Sequence, residues 1–208
     1  MKFAREGYPF IGFFAVITAA ALLLLPAWTA LFPFAITLFM AYFFRDPERS
    51  VPEGEASFVA PADGKVIVLQ QVTESVFTKG KMLQISIFMS PLNVHVNRAP
   101  CDGKVDQVVH TSGRFLSAFK PEASVENENI AMTLDTKFGR IVVRQIAGFV
   151  ARRVVCWAKP GDSLKKGDRY GLIKFSSRVD IFLPASTVPN IKLGDNVRAG
   201  ETVIGYIP

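Results

Sequence analysis

Gly171-Leu-Ile-Lys-Phe-Ser-Ser-Arg-Val-Asp-Ile-Phe-Leu-Pro184 places two adjacent serines, Ser176 and Ser177, between two apolar runs. Both runs are rich in β-branched and aromatic residues, which favours an extended strand on either side of the serine pair. A cation, Arg178, follows directly. A serine hydroxyl becomes a nucleophile when a base and a group that stabilises negative charge lie nearby. The serine pair is therefore the first candidate for chemistry in this chain.

Similar runs recur through residues 57–208 and predict a mainly β (α+β) domain. Seven of them are short, contain many β-branched residues and are separated by turn residues. They are Lys65–Gln71, Leu83–Met89, Lys104–His110, Ile130–Leu134, Arg140–Ile146, Val150–Trp157 and Arg178–Leu183. Between two of these runs, Asp135-Thr-Lys-Phe-Gly139 predicts a hairpin turn, because Gly139 is free to take a positive φ.

A weak internal repeat lies near the C-terminus. A Gly-Asp pair, a polar–apolar alternation and a second glycine turn occur twice, with glycines at Gly161, Gly167 and Gly171, then at Gly194, Gly200 and Gly205. Two such hairpins would pack as a small sandwich that buries Leu164, Val197, Val203 and Ile204. The pattern resembles the hairpins of lipoyl- and biotinyl-type β-sandwiches.

Residues 1–44 predict a membrane anchor. Between Glu6 and Arg45 the only ionisable side chains belong to two tyrosines, and a bilayer span needs roughly 20 apolar residues. Pro26 and Pro33 bracket a segment that we interpret as a turn, since proline interrupts a helix. The limbs of the resulting transmembrane helical hairpin are Tyr8–Leu25 and Phe34–Phe44, and a single span is the alternative.

Charges on either side of the anchor indicate its orientation. Lys2 and Arg5 precede it, and Arg45 and Arg49 follow it, whereas the connecting segment carries no charge. The positive-inside rule then places both ends, and the β-rich domain, on the cytoplasmic side of the cell (inner) membrane. A cleavable signal peptide is disfavoured, because the apolar run is too long and no small-residue cleavage site precedes a polar start. Residues 45–56 form a polar, proline-punctuated linker before the domain at 57–208.

Composition limits the partners and the chemistry. The net charge is +6, but Lys and Arg form no cluster dense enough to suggest a nucleic-acid groove. A mild basic bias fits an anionic membrane surface as well as an ordinary solvated one. Cys101 and Cys156 are too few for a disulfide framework or a zinc site. We expect a reducing compartment, two inert thiols and no bound metal.

Three segments together resemble the phosphatidylserine decarboxylase family. They are the serine pair, Asp63 in Ala60-Pro-Ala-Asp-Gly-Lys-Val66, and His95 in Met89-Ser-Pro-Leu-Asn-Val-His-Val-Asn-Arg-Ala-Pro-Cys-Asp-Gly103. They occur in the family's order, and the resemblance extends over about three quarters of the chain. One position departs from the pattern: where the family usually has Gly-Ser, this chain has Ser176-Ser177. Serine at the first position makes a strained, positive-φ conformer harder to reach by roughly 1 kcal/mol.

The resemblance implies self-cleavage and a pyruvoyl cofactor. The Ser177 hydroxyl would attack the Ser176 carbonyl, giving chains 1–176 and 177–208 that stay together, with Ser177 converted to the covalent pyruvoyl group. That group would decarboxylate phosphatidylserine to phosphatidylethanolamine and CO2. An alternative register has Ser176 as nucleophile and Phe175 as acyl donor. The lipid backbone, diacyl or archaeal ether, is left open.

The resemblance also assigns roles to His95 and Asp63. Histidine exchanges protons near neutrality, so His95 is the candidate base, and His110, at the end of a predicted strand, is taken as structural. Asp63 would accept the imidazole N–H and fix its tautomer. Longer bacterial members have a second histidine where this chain has Arg98. Arg98 therefore becomes a candidate for charge stabilisation.

Residues for lipid binding are predicted around the same segments. Arg98, with Asn97 or Asn93, could hold the lipid phosphate, because arginine suits bidentate phosphate contacts. The long non-strand segment 113–129 is interpreted either as a lid, with Phe115, Leu116 and Phe119 touching lipid, or as a plain surface loop. A membrane phospholipid and the bilayer are thus the expected partners, and a homo-oligomer is compatible with the sequence.

Two other classes of function were weighed. A non-enzymatic, membrane-anchored β-sandwich adaptor or carrier module is favoured if Ser176 prevents processing. A membrane serine peptidase would pair Ser177 with Lys174, but three residues along one strand put the two side chains on opposite faces. The peptidase interpretation is therefore disfavoured.

Overall fold

A computed structural model describes residues 2–116, 126–148, 153–174 and 177–208. The chain divides into two compact units, Met1–Glu48 and Arg49–Pro208. The first is helical and the second is built from β-strands. The sequence-based expectation of a mainly β domain preceded by N-terminal helices is therefore confirmed.

The N-terminal unit is a pair of apolar helices. Helix α1 is Tyr8–Leu24 and helix α2 is Leu31–Phe43, with short 3-10 turns at Arg5–Gly7 and Ala27–Ala30. The second helix starts three residues earlier than its predicted limb, so that Pro33 lies in its first turn. Proline is tolerated there because the first-turn N–H groups have no partner within the helix.

The two helices run antiparallel against each other. The Thr18 and Thr37 hydroxyls are 3.4 Å apart, and each also donates to a carbonyl four residues earlier in its own helix. The ring of Phe10, near the start of α1, stacks on that of Phe44, which follows the end of α2. Within the described residues, one helix, Arg5–Leu24, is long and apolar enough to cross a bilayer, and most of its side chains are not buried.

The second unit contains fourteen strands in the described residues. They are β1 Ser57–Val59, β2 Gly64–Glu74, β3 Gly80–Met89, β4 Val96–Arg98, β5 Gly103–Thr111, β6 Asn129–Thr136, β7 Gly139–Ala147, β8 Arg153–Cys156, β9 Ser163–Leu164, β10 Arg169–Lys174, β11 Ser177–Pro184, β12 Val188–Pro189, β13 Asn196–Val197 and β14 Val203–Tyr206.

These strands form one large and two small antiparallel sheets. The eight-stranded sheet has the order β13-β2-β3-β11-β7-β6-β5-β9, and the small sheets are β1-β14-β12 and β4-β10-β8. Side chains from all three sheets meet in one apolar core that includes Phe58, Ile85, Tyr170, Ile181 and Ile204. Strand β11 is central, because it pairs with β3 on one side and with β7 on the other.

All seven predicted strands are confirmed, with boundaries that differ by a few residues. Residues 150–152 of one of them lie outside the described residues. The predicted hairpin turn is also confirmed: Thr136 pairs with Gly139, whose φ is +98°. Strand β10 corresponds to the extended run predicted before the serine pair, whereas six strands of two to four residues were not predicted (β1, β4, β9, β12, β13 and β14).

The C-terminal repeat is a set of four alike turns. Each has a basic residue, any residue, a glycine with positive φ and an acidic residue, at 159–162, 165–168, 192–195 and 198–201. In each turn the acidic residue's N–H donates to the carbonyl of the basic residue. The glycine N–H groups donate to four carbonyls in two other segments, those of Val105, Ala99, Val66 and Ala60 respectively.

Those two segments are themselves copies of one sequence. Ala60-Pro-Ala-Asp-Gly-Lys-Val66 is matched by Ala99-Pro-Cys-Asp-Gly-Lys-Val105, and we call them the first copy and the second copy. Each copy receives two of the four turns. The β-unit is thus built around a duplicated arrangement, of which only the C-terminal half was noticed in the sequence.

Candidate active site

The serine pair lies where the chain passes from one sheet to another. Strand β10 ends at Lys174 in a three-stranded sheet, and β11 begins at Ser177 in the eight-stranded sheet. Ser176 and Phe175 lie outside the described residues. Because β10 is paired on both sides by β4 and β8, and β11 by β3 and β7, both ends of this connection are firmly held.

Ser177 is fully buried at the start of β11. Its backbone register partners are Met89 on β3 and Ala147 on β7. The Ser177 hydroxyl lies 3.4 Å from the Met89 sulfur, to which it donates. A thioether is a weak acceptor, so this contact holds the hydroxyl in place only loosely and leaves it available for reaction.

His95 directly precedes β4, the strand that pairs with β10. Its backbone carbonyl accepts from the Ile173 N–H at 3.3 Å, and its side chain is fully buried. The ring Nδ1 is 3.0 Å from the Asn93 carbonyl oxygen. A carbonyl can only accept a hydrogen bond, so this geometry assigns the neutral ring's proton to Nδ1 and leaves Nε2 as the proton acceptor.

The turn that holds His95 is fixed by Asn93. The Asn93 side-chain oxygen accepts from both the N–H and the hydroxyl of Ser90, each at 2.8 Å. The Asn93 N–H donates back to the Ser90 carbonyl. Asn93, which the sequence suggested as a phosphate ligand, thus shapes the turn and orients the imidazole through its backbone carbonyl.

Asp63 is buried in the first copy and carries an ion pair. Its carboxylate accepts from Arg49 at 2.8 and 3.1 Å and from the Ala199 N–H at 2.8 Å. Arg49 also reaches Glu201 at 3.1 Å. The predicted contact of Asp63 with the imidazole N–H stays a prediction, since the contacts described for Nδ1 and for this carboxylate go to other groups.

Two buried amides lie next to the serine. Asn97 donates to the Met89 sulfur at 3.8 Å and to the Pro61 carbonyl at 3.5 Å, and its oxygen accepts from Gln145 Nε2 at 2.7 Å. The Met89 sulfur therefore contacts both the Asn97 amide and the Ser177 hydroxyl. No sequence motif points to Gln145 or Met89, because their proximity to Ser177 arises from pairing between distant strands.

Comparisons with known proteins agree with this geometry. A family model described as phosphatidylserine decarboxylase matches residues 36–205. A protein of Desulfotalea psychrophila named phosphatidylserine decarboxylase proenzyme is 48% identical over 206 residues, which cover 98% of this chain and 96% of the relative. Proteins of the same name from Citrifermentans bemidjiense and Syntrophus aciditrophicus are 50% and 45% identical, over 99% and 97% of this chain and 96% of each relative.

The chain belongs to the phosphatidylserine decarboxylase family. The resemblance noted in the sequence and the predicted enzyme class are both confirmed by these matches. The word proenzyme in the relatives' names describes precursors that are processed. The remaining predicted residues of this family member can now be placed.

The predicted lipid-binding residues differ in their surroundings. Arg98 is buried and donates to the Gly167 carbonyl at 2.9 Å, beneath one of the four repeated turns. Asn97 belongs to the amide pair described above. Phe115 is partly buried and packs against the apolar core, whereas Phe119 lies outside the described residues. Their roles in binding lipid stay predictions.

The two described ends of the segment at 113–129 are hydrogen-bonded to each other and to the register partner of Ser177. The Asn127 side chain, which is fully buried, donates to the Leu116 and Ala147 carbonyls at 2.8 and 2.7 Å and accepts from the Leu116 N–H at 2.9 Å. Ala147 is the register partner of Ser177. Residues 117–125, on which the prediction of a lid depends, lie outside the described residues.

His110 and Lys174 are on other strands than Ser177. His110 is on β5 with its side chain half exposed, 3.3 Å from Glu128, which fits the structural role predicted for it. Lys174 and Ser177 are on strands of different sheets. The premise that they share one strand is therefore wrong, because the chain changes sheet between them.

The two thiols lie in apolar surroundings. Burial raises the pKa of Cys101 to about 12 and that of Cys156 to about 11. Since the thiolate is the reactive form, both side chains stay protonated near neutral pH. Among the described residues, no group of three or more His, Cys, Asp or Glu side chains is arranged to hold a metal ion.

Proposed function

We propose that this chain is a phosphatidylserine decarboxylase that matures by cleaving itself between Ser176 and Ser177. One observation carries the proposal: Ser177 is fully buried where the chain passes from β10 to β11, and β10 pairs with β4, the strand that His95 precedes. The hydroxyl would attack the Ser176 carbonyl and replace the peptide bond with an ester. Elimination from that ester and hydrolysis would release ammonia and convert Ser177 into the pyruvoyl group.

Several features of the site support self-cleavage. Strands β10 and β11 are each paired on both sides, so the short connection between them has fixed ends. A nucleophile held against its target reacts much faster than one that must find it. His95 Nε2, with Nδ1–H directed at the Asn93 carbonyl, is proposed to take the hydroxyl proton. Asp63 is proposed to favour the imidazolium that forms.

The surroundings of Ser177 suit a pyruvoyl group. The described partner of its hydroxyl is a weakly accepting sulfur, so the loss of that hydroxyl oxygen, which leaves with the carboxylate of residue 176 in the elimination, gives up no strong hydrogen bond. The Met89 sulfur and the Asn97 amide would border the group, and the full burial of Ser177 would keep water away. Once formed, the pyruvoyl carbonyl supplies the electron sink that decarboxylation of an amino acid needs.

The two fragments are expected to remain one molecule. The fragment 177–208 would contribute β11, the central strand of the large sheet, together with β12 and β14 to a small sheet and β13 to the large one. Several core side chains, including Val179, Ile181 and Ile204, come from this fragment. Separation would expose this apolar surface and two strand edges.

The substrate and its location follow from the family and from the N-terminal unit. We propose that phosphatidylserine is taken from the bilayer, with the apolar helix pair as a transmembrane hairpin and the β-unit on the cytoplasmic side. Arg98 and Asn97 are proposed for the lipid phosphate, and Phe115 and Phe119 for the acyl chains. The duplicated turns support the proposal of lipoyl- and biotinyl-type hairpins in the β-unit.

Replacing each serine in turn tests the cleavage proposal. Ser177→Ala should leave one full-length chain in an intact-mass measurement, whereas Ser176→Ala should still yield two fragments. Ser176→Gly should cleave a few times faster than the parent, since glycine reaches a positive-φ conformer more easily than serine by roughly 1 kcal/mol. Cleavage that persists in Ser177→Ala but stops in Ser176→Ala would move the nucleophile to Ser176.

A matched pair of histidine variants tests the base. His95→Gln should slow cleavage by about a hundredfold or more, because general-base catalysis contributes roughly that much. His110→Gln serves as the control and should mature like the parent. The mature parent should release CO2 from phosphatidylserine and carry a hydrazine-reactive group on its small fragment. A single uncleaved chain without decarboxylase activity would instead favour the adaptor interpretation.

A further inference from the structure

Gln145, on β7, holds a buried acceptor without a donor. Its side chain is almost completely buried, and its Oε1 atom has no donor within hydrogen-bond distance among the described residues. Buried carbonyl oxygens are nearly always hydrogen-bonded, because leaving one unsatisfied destabilises the folded protein. A hydrogen-bond donor on a bound ligand would explain why Gln145 Oε1 is buried without a partner.

The orientation of the Gln145 amide follows from its neighbours. The Pro61 carbonyl can only accept, so the Asn97 amide turns its nitrogen toward Pro61 and its oxygen toward Gln145. The Gln145 nitrogen must then face Asn97, and it also lies 3.4 Å from the Val155 carbonyl. Oε1 is consequently the end of the side chain that points away from these acceptors.

Strand register brings this side chain to the Ser177 side of the sheet. Ser177 pairs with Ala147, and Val179 pairs with Gln145. Side chains two residues apart on a strand share a face, so Gln145 and Ser177 are diagonal neighbours across β7 and β11. Such neighbours lie roughly 7–8 Å apart, a gap that a glutamine and a small ligand group together can bridge.

A glycine lets the backbone of β10 approach the amide closely. A Cβ atom at Gly171, on β10, would lie 2.7 Å from Gln145 Nε2 and 3.2 Å from Oε1. It would also lie 2.4 Å from the Val155 carbonyl oxygen. Strand β10, which leads into the serine pair, therefore passes the amide at a distance that only glycine permits.

We propose that Gln145 Oε1 accepts a hydrogen bond from the amino group of the substrate and positions that amine beside residue 177. The proposal rests on the function proposed above. The substrate class is a primary amine next to a carboxylate, whose N–H groups are strong donors. In the described part of the site, Oε1 is a buried acceptor without a donor, on the amide that donates to Asn97 beside Met89 and Ser177.

The test separates amine positioning from formation of the reactive carbonyl. Mature parent, Gln145→Met and Gln145→Glu are each mixed with a short-chain phosphatidylserine and sodium cyanoborohydride. The mass gained by fragment 177–208 is then followed over time. A parallel sample treated with a hydrazine reports how much carbonyl each protein contains. Methionine keeps the length of glutamine but has no strong acceptor, whereas glutamate keeps an acceptor at the same place.

The expected result is a loss specific to the acceptor. Gln145→Met should capture the lipid amine roughly tenfold more slowly at unchanged hydrazine labelling, and Gln145→Glu should stay within about threefold of the parent. Capture by Gln145→Met at the parent rate would overturn the proposal, as would equal losses in both variants with the carbonyl intact.

Two further outcomes are also decisive. If Gln145→Met fails to mature, Gln145→Glu decides alone: normal capture supports the proposal, and a tenfold loss at normal carbonyl content overturns it. A parent protein whose small fragment never reacts with hydrazine would overturn the proposed function itself, and this inference with it. The two failures are thereby distinguishable.

Discussion

The first and second copies, residues 60–66 and 99–105, fold alike but have different surroundings. In each copy the aspartate accepts the N–H of the second residue of a repeated turn: Asp63 from Ala199 at 2.8 Å, and Asp102 from Lys166 at 2.7 Å. Asp63, however, is buried and paired with Arg49, whereas Asp102 is exposed.

The different surroundings of Asp63 and Asp102 separate the structural contact that both aspartates make from the chemical role proposed for Asp63. Tying an Asp-Gly segment to a turn requires an aspartate in both copies, so that contact says nothing about catalysis. The second copy borders an open groove of about 540 Å³, lined among others by Cys101, Asp102 and Lys166. In the first copy, Arg49 and Glu201 occupy the space around the aspartate. A buried, paired carboxylate is the feature that sets the first copy apart.

The largest expected effect comes from neutralising the two aspartates separately. Asp63→Asn should slow self-cleavage by about a hundredfold or more, since it removes the buried negative charge proposed to favour the imidazolium. Asparagine keeps an oxygen for the turn N–H, so the fold is retained. The fraction of full-length chain is followed by intact mass after synthesis.

Asp102→Asn is the matched control for that experiment. It makes the same chemical change in the second copy and should cleave within a few-fold of the parent. Equal slowing in both variants would show that the buried charge of Asp63 makes no special contribution to cleavage, and the distinction between the copies would be lost.

The glycines after the two aspartates should differ in their tolerance of a side chain. A Cβ at Gly64 would lie 2.1 Å from the Phe88 carbonyl oxygen, whereas at Gly103 the nearest atom, the Asp135 carbonyl oxygen, is 3.1 Å away. Gly64→Ala should therefore lower the free energy of unfolding by about 3 kcal/mol, and Gly103→Ala by about 1 kcal/mol. Urea unfolding of each variant measures both values, and equal losses would contradict the structural difference.

Arg49 contacts Asp63 of the first copy, and the Lys166 N–H contacts Asp102 of the second. Replacing these two cations should lower the free energy of unfolding unequally. Arg49→Met leaves the buried Asp63 carboxylate without its charged partner and should lower the free energy of unfolding by about 2 kcal/mol. Lys166→Met removes donation to the Gly54 carbonyl and the Ser57 hydroxyl, which should cost about 1 kcal/mol. A larger loss of unfolding free energy in Lys166→Met than in Arg49→Met, measured by the same urea titration, would contradict the stronger stabilisation expected around the first copy.

The smallest effect is expected at Cys101, which stands where the first copy has Ala62. Burial raises the pKa of this thiol to about 12, so it remains protonated and should react with iodoacetamide far more slowly than a free thiol at pH 8. Cys101→Ala should leave self-cleavage unchanged. Fast alkylation of Cys101 at pH 8, read by peptide mass, would contradict its burial.

Much of the β-unit could be predicted from the sequence, because its long strands carry strong local patterns. Runs such as Leu83–Met89 are continuous and rich in β-branched residues, so their extended form needs no tertiary information. Strands of two or three residues, such as β12 and β13, give no periodicity to detect. Strand β10 matches the extended run predicted before the serines, but its place in a separate three-stranded sheet could not be predicted from that run.

The site was harder to predict than the fold. Ser177, His95 and Asp63 could be proposed as site residues because each lies in a short motif, whereas Gln145 and Met89 become neighbours of Ser177 only through the pairing of β3, β7 and β11. Arg49 was assigned to the linker, since the sequence could not show that it reaches Asp63. The duplicated Ala-Pro-x-Asp-Gly-Lys-Val was visible in the sequence and was overlooked.

The crossing from β10 to β11 imposes an order of events on the proposed maturation. The Ser177 hydroxyl, as the proposed nucleophile, would reach His95, as the proposed base, only after β4 has paired with β10 and β11 with β3 and β7, so folding would have to come before the cut. A chain that misfolds would not form the pyruvoyl carbonyl and would have no decarboxylase activity. The same geometry predicts that the enzyme cannot easily be assembled from two separately made pieces, because the smaller one supplies an interior strand. Each molecule would thus have to fold correctly before its reactive carbonyl could form.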